Sequence, residues 1–208
     1  MLDDIVFFLE IIGTIAFAAS GAMIAVNRRM DIFGVAMLGL FTAVGGGVIR
    51  DMLLGNTPPL SFRHPVYALT ALGVSMVMFL QPVRSRYNRH SRAFDAVLLM
   101  MDSVGLGIFS VTGVEVALTA NSNLYTAVFV GLVTGVGGGI LRDVMAGQTP
   151  FVFVKHFYAS ASLIGALLCA LLWPHAGQLF AMLTGAGAVI ALRLLAARYR
   201  WSLPRPKE

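Results

Sequence analysis

One stretch of this chain occurs twice, inside apolar segments and at a fixed spacing. Residues 39–59 read GLFTAVGGGVIRDMLLGNTPP and residues 131–151 read GLVTGVGGGILRDVMAGQTPF, an ungapped offset of 92 with 12 of 21 positions identical. The same offset pairs Gly13 with Gly105, Phe17 with Phe109, Gly21 with Gly113, Arg63 with Lys155, His64 with His156 and Gly73 with Gly165. The chain is thus two copies of one unit, about 3–82 and about 93–174, and its fold must accommodate both. Glycine-interrupted hydrophobic segments at matching places in two halves point to a central transport site.

The composition says in what solvent those copies fold. Of 208 residues 58% are apolar and 12% charged, with a mean hydropathy of +0.82, whereas a soluble domain carries roughly a quarter charged residues. An integral membrane protein is expected. Asp3, Asp4 and Glu10 stand where a secretory signal would be basic, and the first apolar run is long enough to span. The lone Cys169 supplies neither a disulfide framework nor a thiolate metal site. The net charge of +5 resides in short loops and the tail, a pattern of topology signals rather than a nucleic-acid surface.

A span needs about 20 mostly apolar residues. Segments near 4–26, 32–54, 63–81, 94–114, 123–145, 156–173 and 178–197 qualify, two sets of three and a seventh. The predicted fold is an all-α polytopic membrane protein of seven transmembrane helices in a single domain, ending in a short basic tail at 198–208. With the N-terminus outside, Arg28, Arg29, the arginines of 84–92, Arg142, Lys155, Arg193 and the tail collect inside. Only Arg50 and Arg63 of the 15 basic residues then remain outside, so the C-terminus is expected to be cytoplasmic. Because three spans per copy is odd, the second copy enters from the other face, and the repeats are predicted to be inverted.

Gly45, Gly46 and Gly47 fall in the second span, and Gly137, Gly138 and Gly139 in the fifth. Three glycines weaken a helix by roughly 3 kcal/mol relative to alanine. The expectation is a kink beside a hydrated path, with freed backbone dipoles and transient potassium or sodium nearby; the competing expectation is a close helix crossing. On the first, Gly138→Leu narrows the path and leaves assembly intact. Arg50-Asp51 and Arg142-Asp143 follow each triplet. They form charged rings on one route if the helices turn inward, and interfacial anchors if they do not.

Asp102, deep in an apolar segment, is the strongest lone candidate for a cation-attracting or proton-linked carboxylate, whereas its repeat partner Glu10 lies nearer the outer surface and the water. Thr42 with Thr134, and Ser20 with Thr112, are matched hydroxyl pairs that either line a polar path or bond back to their own carbonyls. Gly55 and Gly147 fit helix ends. His64 and His156 lack companions at ligand spacing, so metal binding is not expected at either, and no cofactor is expected. No nucleophile elbow, metalloprotease motif or catalytic histidine cluster is present, and the polar residues respect the duplication, which argues against an enzyme.

The two GGGxxRDxxxGxTP stretches, at 45–58 and 137–150, resemble those of the trimeric intracellular cation channel family, and the likeness runs to about residue 197. It implies a seven-helix fold with inverted repeats, a homotrimer, and a separate pore per subunit between the second and fifth helices, permeable to potassium and sodium. By that analogy the two triplets with Arg50, Asp51, Arg142 and Asp143 surround the pore, and a prokaryotic plasma membrane is the expected location. Animal members carry a lysine-rich pore segment associated with phosphoinositide lipid. Here the segment reads Gly-Gly-Gly-Ile-Leu-Arg-Asp, so bound membrane lipid is expected without that mode of gating. Some bacterial relatives are candidate glycine transporters, which keeps a small amino-acid carrier as the alternative function.

Overall fold

The computed structural model describes residues 2–80, 92–154 and 157–201, and every regular element among them is an α-helix. They are α1 (Leu2–Asn27), α2 (Ile32–Leu53), α3 (Leu60–Arg63), α4 (Val66–Phe79), α5 (Arg92–Thr119), α6 (Leu124–Met145), α7 (Phe151–Val154), α8 (Tyr158–Ala176) and α9 (Gln178–Tyr199). The basic run from Arg84 to Ser91, Lys155, His156 and the tail beyond Trp201 lie outside the described residues.

Short polar signals start and stop these helices at matching places. Asp31 Oδ1 accepts the Gly34 amide at 2.7 Å and Asn123 Oδ1 accepts the Thr126 amide at 2.8 Å, capping α2 and α6. Both helices end on a glycine with φ of +74° at Gly55 and +65° at Gly147. The next amide, of Asn56 or Gln148, reaches back to the carbonyl of Asp51 or Asp143, as in a Schellman turn.

Six helices, α1, α2, α5, α6, α8 and α9, are long and apolar enough to cross a membrane, and α4 is a shorter apolar helix of 14 residues. The single span expected at 63–81 is divided: α3 ends at Arg63, and α4 begins after His64 and Pro65. His64 takes the extended conformation, φ −120° and ψ 94°, into which a following proline pushes its neighbour. At about 21 Å, α4 is shorter than the ~30 Å hydrocarbon layer. The span expected at 156–173 is likewise preceded by a separate turn, α7, and runs three residues further, to Ala176.

Polarity is arranged for lipid. Phe8, Phe33, Leu69, Tyr125, Phe153 and Leu183 are exposed, while Glu10, Arg50, Asp51, Asp102, Arg142, Asp143 and Arg193 are buried. Water would favour the reverse. The chain is a multi-pass membrane protein. Inside it, α1, α2 and α4 pack together, as do α5, α6 and α8; α1 meets α5, α2 meets α6, and α9 lies on α8 and α5.

Candidate functional site

The centre of the molecule is the crossing of α2 and α6. A Cβ placed on Gly46 would fall on the carbonyl oxygen of Thr134, and one on Gly138 would fall on that of Thr42. Going from Thr42 to Gly46 the opposing residue goes from Gly138 back to Thr134, so the two helices cross antiparallel. The outer glycines are reciprocal too: Gly45 faces the Leu141 side chain, and Gly137 faces Gly46 and Ile49. Neither triplet breaks its helix, which continues through 45–47 and 137–139. Backbone polar groups in an apolar setting stay paired within the helix, and the absent side chains are replaced by the partner's backbone. A leucine at Gly138 would therefore strike α2 and the Phe17 ring, so the expectation of intact assembly is corrected.

The third glycine of each triplet faces its arginine. A Cβ on Gly47 would meet only Arg50 Nη2, at 3.9 Å, and one on Gly139 would lie 3.7 Å from Arg142 Nη2 and 2.5 Å from the Tyr158 hydroxyl. Four residues beyond the middle glycine, each arginine then anchors a cluster. Because the helices are antiparallel, the clusters lie on opposite sides of the crossing.

In the first cluster Arg50 donates from Nε to Asp51 Oδ1 at 2.8 Å and from Nη1 to Glu10 Oε1 at 3.4 Å. The Tyr67 hydroxyl donates to Glu10 Oε2 at 2.5 Å. Asp51 Oδ2 accepts the Leu60 amide at 2.7 Å, so one carboxylate both pairs with the arginine and ties down the start of α3. Glu10 was expected near the surface and wet, but it is buried, because Arg50 and Tyr67 close over it.

The second cluster repeats this plan with additions. Arg142, fully buried, donates from Nε to Asp143 Oδ1 at 2.9 Å and from Nη1 to Asp102 Oδ1 and Ser20 Oγ, each at 2.5 Å. Asp143 Oδ2 accepts the Phe151 amide at 2.7 Å. Gln148 donates to Asp143 Oδ1 at 3.0 Å and accepts from Arg28 at 3.2 Å. Arg193 reaches in from α9 and donates to Asp102 Oδ2 at 3.4 Å. Asp102 is therefore not a lone carboxylate: two guanidiniums hold it.

The hydroxyl pairs separate on inspection. Thr42 and Thr134 donate back to the carbonyls of Leu38 and Val130, at 2.5 and 2.6 Å, and Thr112 to that of Phe109 at 3.4 Å. Ser20 instead joins the second cluster. Ten residues separate Glu10 from Ser20 on α1, which sets the clusters about 15 Å apart. Between them the rings of Phe17 and Phe109 pack with centroids 5.3 Å apart.

Cavities approach both clusters. A cavity of about 30 Å³ touches Glu10, Thr14, Gly47, Arg50, Asp51 and Phe109, and a second of about 330 Å³ shares Glu10, Leu60 and Tyr67 with it. On the other side a cavity of about 430 Å³ reaches Asp102 and Arg193. Among the described residues no group of three His, Cys, Asp or Glu side chains is placed to hold a metal.

Sequence reasoning missed Tyr67, Tyr158 and Arg193. Beyond the Thr-Pro turns the structural correspondence slips from 92 to 91, since Leu60 matches Phe151 as an amide donor and Tyr67 then matches Tyr158. The pairing of Gly73 with Gly165 is corrected accordingly: Gly73 faces open space, whereas Gly165 packs on Val189 and Gly185. A one-residue gap after the motif would have exposed the tyrosines. Arg193, counted as a topology charge, carried no sequence signal of its burial.

Known proteins share this architecture. The family model described as glycine transporter matches residues 7–82 and 99–174, two stretches again 92 apart. A UPF0126 membrane protein of Deinococcus radiodurans is 40% identical, with 95% of this chain and 90% of that one covered. The UPF0126 inner membrane protein YadS of Escherichia coli K12 is 37% identical, with 97% and 95% covered. The solved trimeric intracellular cation (TRIC) channel orthologue from Rhodobacter sphaeroides is 33% identical, with 95% and 99% covered and a TM-score of 0.87. The chain belongs to this bacterial TRIC-like, UPF0126 family of membrane proteins.

Proposed function

We propose that this protein is a monovalent cation channel, conducting potassium and sodium along a path within each subunit of a homotrimer in the plasma (inner) membrane. The observation that carries the reading is the pair of buried arginine–carboxylate clusters on opposite sides of the α2–α6 crossing. It occurs in a chain 33% identical, over nearly its whole length, to a protein described as a trimeric intracellular cation channel. The path runs from the outer cavity at Glu10 and Tyr67, past Gly47 and Arg50, to the cavity at Asp102. Phe17 and Phe109 close it in the conformation described here. Carboxylates facing water-filled space favour cations, and each arginine fixes its carboxylates in place.

The two units are inverted repeats, with α4 as the third of seven spans, the N-terminus outside and the C-terminus cytoplasmic. α1, α2 and α4 form the first unit and α5, α6 and α8 the second, with α9 as the seventh span. The exposed apolar residues contact membrane lipid.

Purified protein in planar bilayers under a potassium gradient, with sodium and chloride substitution, tests the reading. Discrete currents reversing near the potassium potential are expected, and folded trimer without unitary current would overturn it. The second reading, a glycine carrier, is favoured by the description of the matching family. Uptake of labelled glycine into vesicles without unitary current would establish that reading instead.

A further inference from the structure

We propose that Arg193 is a positioning residue that neutralises Asp102 at the second mouth of the path, so that the two mouths differ in charge although the duplicated motif is shared. The comparison of the two clusters carries this. In the first, the second oxygen of Glu10 is held by a neutral donor, the Tyr67 hydroxyl at 2.5 Å. In the second, the matching oxygen of Asp102 is held by a cation, Arg193 Nη2 at 3.4 Å. Tyr158, which corresponds to Tyr67, has been displaced from the carboxylate. Its ring lies 4.7 Å from the Arg193 guanidinium carbon, and its hydroxyl has no hydrogen-bond partner among the described residues.

Helix α9, which lies outside the duplication, has thus exchanged a neutral donor for a charged one. One arginine faces two carboxylates in the first cluster, a formal charge of −1. Two arginines face two carboxylates in the second, a formal charge of zero.

The position of Arg193 gives the exchange a consequence. The 430 Å³ cavity touches Asp102 and Arg193, while Arg142 lies behind Asp102, out of contact with it. Among the described residues the other charged side chains lining that cavity are Asp95 and Arg200, so these four groups sum to zero. A cation entering from this side meets a carboxylate already covered by a guanidinium, whereas one entering at Glu10 meets an unbalanced negative charge. The charge difference stands on the geometry alone; its effect on flux rests on the channel reading.

The test uses the whole trimer with Cys169→Ala, which removes the lone and buried native thiol, and Ala197→Cys as a reporter in the same cavity. Labelling rates are compared for a cationic and an anionic methanethiosulfonate reagent. With Arg193 present the two rates are expected to be similar. Arg193→Gln should favour the cationic reagent on the order of tenfold, the low end of what a cleft lined by one sign of charge achieves. Arg193→Lys should restore parity, adding Asp102→Asn to Arg193→Gln should remove the preference, and about 1 M salt should suppress it. A strong preference with Arg193 intact, or none in folded Arg193→Gln protein, would overturn the proposal; a merely structural role would not move this ratio.

Rubidium uptake into proteoliposomes then tests the consequence, with Arg193→Gln expected to raise low-salt uptake severalfold over wild type and Arg193→Lys. Unchanged uptake in a conducting protein would overturn the role in permeation. Labelling preference without rubidium uptake in any variant would leave the charge assignment standing and refute the channel reading.

Discussion

Gly46 and Gly47 are neighbours in one triplet, yet alanine at the two positions should act in opposite directions. At Gly47 an added methyl group meets only the tip of Arg50, at 3.9 Å, which is ordinary contact. The helix gains about 1 kcal/mol of propensity. At Gly46 the methyl group lands on the Thr134 carbonyl, a backbone atom that can yield only if α2 and α6 move apart. Overpacking of this kind costs about 3 kcal/mol at the upper end of its usual range, leaving a net loss of about 2 kcal/mol after the propensity gain. The difference between the variants is then about 3 kcal/mol. For a chain of this size that is on the order of 6–12 °C in apparent melting temperature. Thermal unfolding of the purified protein in one detergent, followed by loss of the native chromatographic peak, reads this directly. Gly47→Ala should also lower cation flux, because it fills part of the 30 Å³ cavity beside Arg50. A Gly46→Ala protein as stable as wild type would refute the close-crossing argument, and the same result for Gly138→Ala would refute it twice.

Arg142→Gln should destabilise more than Arg50→Gln. It strands Asp143, fully buried and away from the cavities, and leaves Asp102 with Arg193 alone, and is expected to cost about 3–5 kcal/mol, whereas Arg50 and Asp51 border a cavity; equal melting temperatures would contradict this. Tyr67→Phe removes a hydrogen bond to a carboxylate and should cost about 1.5–3 kcal/mol, with Tyr158→Phe much milder because that hydroxyl has no hydrogen-bond partner among the described residues; denaturation of the two proteins side by side decides it. Asp102→Asn leaves two guanidiniums facing one carboxylate fewer, so cation flux and stability should fall together, and a folded variant with wild-type ion preference would remove Asp102 from the path. Thr42→Val and Thr134→Val should leave ion preference unchanged, since each hydroxyl is spent on its own helix; altered reversal potentials would show that they line the path.

Much of the site could be read from the residues because the duplication printed it twice. The motif named both triplets and both arginine–aspartate pairs, and the offset of 92 linked Glu10 to Asp102, which became the two remote partners of those arginines. Two helix ends were legible as well, because Gly55 and Gly147 act through local geometry within a few residues, whereas the caps Asp31 and Asn123 emerged only in the structure. The division of the third segment was written in Pro65 but masked by the apolar run around it.

What only the tertiary structure decided depends on distance in the chain. The glycines alone allow either an opened helix or a tight crossing, and the carbonyls of Thr42 and Thr134 settle on the crossing by filling the space that the missing side chains leave. Asp102 looked solitary because Arg142 and Arg193 lie 40 and 91 residues away. Periodicity and composition report on neighbours along a helix; the burial of a charge is set by helices that meet only after folding, and in an apolar medium that meeting is where the charges must find their partners.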